Sequence, residues 1–328
     1  MRHAGDVALL LHGGQRRWTD ALLSEARGHL SGCLNAVELS IAFAMSDNWL
    51  ARPVEALGPG YCRAAIERYP ALLSPLLVDH LRQRAAAALS LRLTLIPPAI
   101  LGEDAPSPAS AAGPLGDALT ALRLAVDPWF MPHPIDRPMR ADLPAEAFCD
   151  LIWTAAALLV EGLAARMGVD SATASSVIGR AAETVIARHD EQVGPFARAA
   201  YAATLAGDAA EVAPVAGEAA LRHDLLLLAA MGGRTAGIGL YQALALLIDG
   251  EQDDRAALVR LLRLDDAAYV ALLDGLSPLL EVAADWQFSD LLSRYHALTP
   301  DLAVERLARW RGPAPLVDKL ARIGWGTS

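Results

Sequence analysis

The stretch Ala141–Arg180, ADLPAEAFCDLIWTAAALLVEGLAARMGVDSATASSVIGR, decides the fold class. It predicts a long apolar helix, a two-residue corner and a second helix leaving at an angle. Asp142 is placed to cap the first helix, with Pro144 and Glu146 in its first turn, where a missing N–H and a negative charge are both tolerated. From Leu151 to Val160 the pattern is apolar or hydroxylated all round, as in a helix surrounded by other helices. Gly168 supplies a left-handed C-terminal cap, Val169 folds back on the last turn, and Asp170 or Ser171 caps the next helix.

The same corner recurs. LAARMGVDSATASSVI (163–178) aligns with LVRLLRLDDAAYVALL (258–273), Gly168 or Arg263 ending the helix and Asp170 or Asp265 capping the next. GRTAGIGLYQALALLI (233–248) gives a third copy in which Gly237-Ile238 takes the corner and the capping Asp is lost. Each unit carries an apolar face that only a neighbour can cover. The expected fold is all-α, an irregular HEAT-like, α-solenoid-like array of stacked helical hairpins. Composition agrees: 54% of the 328 residues are hydrophobic, mainly Ala and Leu, and 5% are aromatic. Such a chain favours helix over strand and builds its core from aliphatic packing.

Along the chain, Thr19 opens a helix, TDALLSEARGHLSGCL, that either continues through Gly32 bent or restarts at Asn35. Glu25 and His29 share one of its faces and read as a solvated edge rather than a metal pair. Ser74-Pro75 caps the helix that ends before Pro97-Pro98. Residues 102–116, GEDAPSPASAAGPLG, read as a linker between an N-terminal helical subdomain (1–101) and a C-terminal hairpin domain (117–328). Asp117–Val126 is a short helix, closed by the loop Asp127–Pro138. Leu225–Ile248 is long enough to span a bilayer, but Arg234 sits near its middle, where an Arg costs about 2.5–3.5 kcal/mol. Gly232, Gly233, Gly237 and Gly239 break it where a hairpin would turn, so a buried helix pair and no membrane partner is the expectation. Arg-His-Asp occurs at 188–190 and 222–224, and both copies read as surface.

Charge and motifs narrow the function by exclusion. Net charge is −10 and no Lys/Arg-rich block exists, which argues against nucleic acid as a partner. A helix-turn-helix DNA-binding alternative at the Gly168 corner has only Arg180 as a cation in its second helix. Lys319 is the only lysine, so no P-loop is present, and no HExxH, nucleophile elbow or glycine-rich phosphate loop occurs. Cys33, Cys62 and Cys149 form no framework or CxxC pair and fit the reducing cytoplasm. No cofactor is expected. The candidate interaction surface is the proline-studded loop with Trp129, Phe130, Met131, His133, Asp136 and Arg137, together with Arg140. Its aromatics either plug back over the central helix or form a surface for a partner. The expected function is a non-enzymatic protein–protein interaction scaffold or regulatory module, with a homodimer as one way to absorb the apolar excess. The alternative is an enzyme or small-molecule binder around 127–140, using His133, Asp136 and Arg137 with Arg234.

TDALLSEARGHLSGCLNAVELSI near the start, LIWTAAALL in the central helix, the MGVD and LRLDDAA corners, and YHALTPDLAVERLARW near the end together resemble the bacterial family catalogued as domain of unknown function 2336. The resemblance runs from about Thr19 to Trp310, with the 102–116 insertion and the short spacing at Gly237 as departures. It implies an all-helical, repeat-like cytosolic protein and supplies no catalytic residue.

Overall fold

The computed structural model describes residues 18–93, 113–130, 138–207, 209–280, 288–313, 316–317 and 319. Among them the fold is all-α: fifteen helices, three short 3-10 turns and no strand. The chain divides into two compact units, and the division does not follow chain order. Met1–Ala85 joins Met131–Gly194, and Ala86–Phe130 joins Pro195–Ser328. The boundary expected at 102–116 is therefore not where the units part; one crossing falls inside a helix, after Ala85. Helix α5 also starts at Pro114, inside the expected linker, and runs through Pro128 to Phe130 rather than stopping at Val126. Residues 102–112 lie outside the described residues.

The first unit holds α1 (Asp20–Ala44), α2 (Ala51–Ala56), α3 (Tyr61–Ile66), the first part of α4 (Pro75–Leu93), α6 (Ala145–Met167) and α7 (Ser171–Ala187). Helix α1 is continuous through Gly32 and Asn35, because Leu22, Ala26, Cys33, Val37 and Ile41 keep one helical stripe buried throughout. The Thr19 hydroxyl caps it, accepting from Leu22 N at 3.1 Å. It packs on α7, α6 and α3. The buried Glu38 carboxylate closes α3, accepting from the backbone N–H groups of Gly60 (2.9 Å), Tyr61 (3.3 Å) and Cys62 (2.7 Å).

The deciding stretch folds as a hairpin. Gly168 sits at φ 64°, Val169 N donates back to Leu163 O at 3.2 Å, and the Asp170 carboxylate accepts from Thr173 N at 2.8 Å. Its start differs from expectation. Asp142 does not cap α6, since it is drawn into an ion pair with Arg84; Glu191 takes the task instead, accepting from Ala145 N at 2.9 Å. Nor is α6 enclosed on every side, for Trp153 and Ala157 face outward. It is the one described helix long and apolar enough to cross a bilayer, and 61% of its most apolar window is buried inside the protein.

The second unit holds α5 (Pro114–Phe130), α8 (Pro195–Leu205), α9 (Ala209–Leu221), α10 (Leu225–Ala236), α11 (Leu240–Asp249), α12 (Gln252–Leu261), α13 (Asp266–Leu280), α14 (Phe288–Ala297) and α15 (Pro300–Leu307). Helix α10 is its core: every residue from Leu225 to Gly233 is buried, against α8, α9, α11 and α12. Gly232 and Gly233 do not break the helix as expected. They let neighbours approach, since a Cβ on Gly232 would lie 3.0 Å from the Leu258 side chain and one on Gly233 3.0 Å from Ile238 O. The turn is made by Gly237 (φ 71°), and Gln242 supplies the missing cap by accepting from Gly239 N at 3.1 Å. Arg263 takes the same left-handed conformation (φ 55°), followed by Asp265 accepting from Ala268 N at 2.8 Å.

A fourth corner of this kind was missed in the sequence. His223 adopts φ 54° and Asp224 caps α10 through Leu227 N at 3.0 Å, so the second Arg-His-Asp triplet is a buried turn, not surface. The first triplet likewise closes a helix end: His189 stacks on Phe148 at 3.7 Å and Asp190 accepts from Gln192 N at 3.0 Å. On the far side of α12, the buried Asp254 carboxylate accepts from Arg306 Nε at 2.8 Å, from Arg309 and from Trp310 Nε1 at 3.3 Å, which fastens α15 to α12.

Close packing at Gly162 gives a sharp test. A Cβ there would lie 2.5 Å from the buried Tyr61 ring, whose hydroxyl is held by Glu161 at 2.8 Å. Gly162→Ala is expected to destabilise by about 1–3 kcal/mol through overpacking. Gly179→Ala, on α7 with nothing within 4 Å, is expected to stabilise by about 0.5–1 kcal/mol. Urea unfolding midpoints shifting in the same direction for both variants would contradict this packing.

Candidate functional site

The residues selected from the sequence do not converge among the described residues. Trp129 is 1% exposed, so it is no part of a surface. Its ring is tilted against Phe196 of α8 at 6.4 Å, Phe196 stacks on Tyr241 at 5.2 Å, and its carbonyl accepts from Arg92 Nε at 2.8 Å. The hydrophobic end of α5 is thus core of the second unit, and the plug it forms covers α8 rather than the central helix α6. Phe130 closes α5. Met131, His133, Asp136 and Arg137 lie outside the described residues. Arg140 is exposed and its carbonyl accepts from Arg84 Nη2 at 3.1 Å, while Arg234 is exposed on α10.

A polar interior that the sequence did not advertise lies in the first unit. Glu25, His29 and Cys33 follow one another at single-turn spacing on α1, and all three are buried. The Glu25–His29 pair is no solvated edge: Glu25 Oε1 and His29 Nε2 are 2.9 Å apart inside the protein. Helix α4 contributes the buried His80 and Arg84, the latter paired with Asp142. Burial, then the positive charge of Arg84, then His29, push the His80 imidazole down to about 3. Burial pushes the Cys33 thiol up to about 11, with Arg84 opposing and Asp142 adding. At neutral pH the ring is neutral and the sulfur is a thiol, the inert form of each for base and nucleophile chemistry. The arrangement holds one ion pair in a neutral polar shell.

The second unit carries an open cleft of about 340 Å³ between α5, α9 and the start of α10. Leu119, Leu122, Val215 and Leu227 wall it, and Arg123, Glu218 and Arg222 reach its polar side. Arg222 Nε donates to Glu218 Oε1 at 2.9 Å. Burial and the like charge of Arg222 lower the Arg123 guanidinium from its ordinary value; burial raises Glu218 and Asp224. Among the described residues no three His, Cys, Asp or Glu side chains gather as a metal site. A third feature is an apolar edge at the end of α1, where Leu39, Phe43 and Trp49 stand 55%, 75% and 62% exposed.

Compared with known proteins, the chain matches no family model, no curated sequence and no solved structure.

Two outcomes check these placements. Trp129→Ala is expected to cost about 3–5 kcal/mol in urea unfolding, the loss of a core aromatic rather than of a contact surface. For His80, neither state binds the proton above its ordinary value of 6.5, whereas between 6.5 and about 3 only the unfolded chain does. Stability therefore falls with decreasing pH across that window, by about 1.4 kcal/mol per unit from this group. His80→Gln is expected to flatten the pH dependence of unfolding below pH 6.5 relative to wild type; parallel curves would mean that the ring is protonated in the folded state.

Proposed function

We propose that the chain is a non-enzymatic protein-binding module, a scaffold or regulatory element, that docks its partner on the edge formed by Leu39, Phe43 and Trp49. One observation carries this: the most exposed large apolar side chains of the first unit, Phe43 and Trp49, lie at the end of one helix. Leu39 and Phe43 are one turn apart on the same face. Exposed apolar surface concentrated in this way marks interaction sites more often than isolated exposed residues do. Exposed Asp47 and Glu55 flank it beside the single Arg52, and the chain carries a net charge of −10. The partner this fits is an amphipathic helix with basic flanks, its apolar residues spaced to meet one helical turn.

Supporting features are consistent in direction. The polar interior keeps its thiol and imidazole neutral, and the three cysteines are free, as suits a reducing cytoplasm. The repeated corners at Gly168, Gly237 and Arg263 support hairpin units related to HEAT-like repeats; packing of α10 on four helices departs from a strictly linear stack. The likeness to domain of unknown function 2336 rests on the residues quoted above and adds no site residue.

The test is capture from cell extract on the immobilised chain, wild type against the double variant Phe43→Ser, Trp49→Ser, with purified partner then titrated. A near-stoichiometric partner whose affinity falls about 30-fold or more in the variant is the expected result. Equal capture by both forms removes the edge from the interface. Sedimentation showing a dimer that the variant dissolves would make the edge a self-interface and overturn the heterologous reading.

A further inference from the structure

The cleft of the second unit has two features that a merely imperfect packing gap lacks. Its walls are aliphatic, from Leu119 and Leu122 on α5, Val215 on α9 and Leu227 on α10. Its polar side carries two guanidinium groups close enough for their charges to oppose each other. Arg222 is answered by Glu218 at 2.9 Å. Arg123 makes no hydrogen bond or ion pair among the described residues, although it is partly withdrawn from water. A guanidinium offers five donors in a planar fork that matches a carboxylate two bonds at a time. Arg123 thus presents an unused fork at the mouth of an apolar slot.

We propose that this cleft is a binding site for a small monocarboxylate with an apolar body, of the straight-chain alkanoate or arylcarboxylate class. The carboxylate pairs with Arg123 and relieves its repulsion with Arg222, and the apolar body lies against Leu119, Leu122 and Leu227. The charge of the ligand follows from the other groups present. Glu218 and Asp224 place two carboxyl groups beside the same arginines, so a dianion such as a phosphate monoester meets more repulsion than a monoanion. The size follows from the space: about 340 Å³, at the lower end of small-molecule pockets. This site is independent of the docking edge on α1, and neither needs the other.

The experiment is isothermal titration of the full chain with octanoate, benzoate and inorganic phosphate, repeated on Arg123→Ala and Arg123→Lys. Saturable binding of one of the carboxylates is expected, weakened about 10- to 100-fold by Arg123→Ala and partly restored by Arg123→Lys. Phosphate is expected to bind more weakly than either. Circular dichroism and unfolding midpoints of Arg123→Ala matching wild type exclude misfolding as the cause, since that side chain holds no structural bond. A second variant, Leu122→Asn, is expected to lower octanoate affinity while leaving any phosphate binding unchanged. Absence of saturable heat up to the solubility limit of both carboxylates overturns the proposal, as does undiminished binding to Arg123→Ala. Phosphate binding as tight as octanoate overturns the monocarboxylate assignment.

Discussion

Everything in this fold depends on closing helix ends without leaving backbone groups bare in an aliphatic interior. A chain of short helices has many ends, and each leaves donors at one side and acceptors at the other. Here the solution is one device used repeatedly: a left-handed residue ends one helix and a side-chain acceptor opens the next. Gly168 with Asp170, Gly237 with Gln242, Arg263 with Asp265 and His223 with Asp224 are four versions of it. Two of the four place a non-glycine residue at positive φ, a conformation that costs L-residues about 1–2 kcal/mol. The hydrogen bonds of the caps and the burial of the following helices offset that strain. Loops can then be two residues long, which brings α6 against α7 and α10 against α11.

The same accounting explains the buried charges. Glu38, Asp142 and Asp254 are carboxylates in a chain that is mostly Ala and Leu, and each is met by a different kind of donor. Backbone N–H groups at a helix start satisfy Glu38, one guanidinium satisfies Asp142, and two guanidinia with an indole satisfy Asp254. A buried charge adds little net stability, but an unmatched one is very costly, so these groups select one register of packing over its neighbours. The Arg84–Asp142 pair also sets the electrostatic surroundings of His80 and Cys33 and leaves both uncharged at neutral pH.

How much of this was legible in the sequence can be followed residue by residue. The corner at 168–170 and its two relatives were readable because glycine, an apolar residue and an acidic cap are local signals. Helical class was readable from composition. What failed was every assignment that needed to know the neighbour. Asp142 had the position of a cap but was taken by Arg84; Gly232 and Gly233 had the composition of a break but are contact points for Leu258 and Ile238; Trp129 had the proline-rich context of a surface but fills space against Phe196. Glu25 and His29 looked solvated because spacing on a helix does not say which side faces the core. The cleft was invisible for the same reason, since Arg123 and Arg222 lie far apart in sequence and meet only through packing. Of the loop chosen as a site, Trp129 turned out to be core, and four residues lie outside those described.

The Asp254 clasp has a bearing on the order of events during synthesis. Its carboxylate belongs to α12, but the guanidinia that neutralise it come 52 and 55 residues later. When α12 first leaves the ribosome, folding it into place would bury a naked negative charge, so the helix gains by staying solvated until Arg306 and Arg309 emerge. The second unit is in this respect a lock whose key is made last. A pause in translation between the two segments would hold the polypeptide open, with the apolar face of α10 on offer to chaperones.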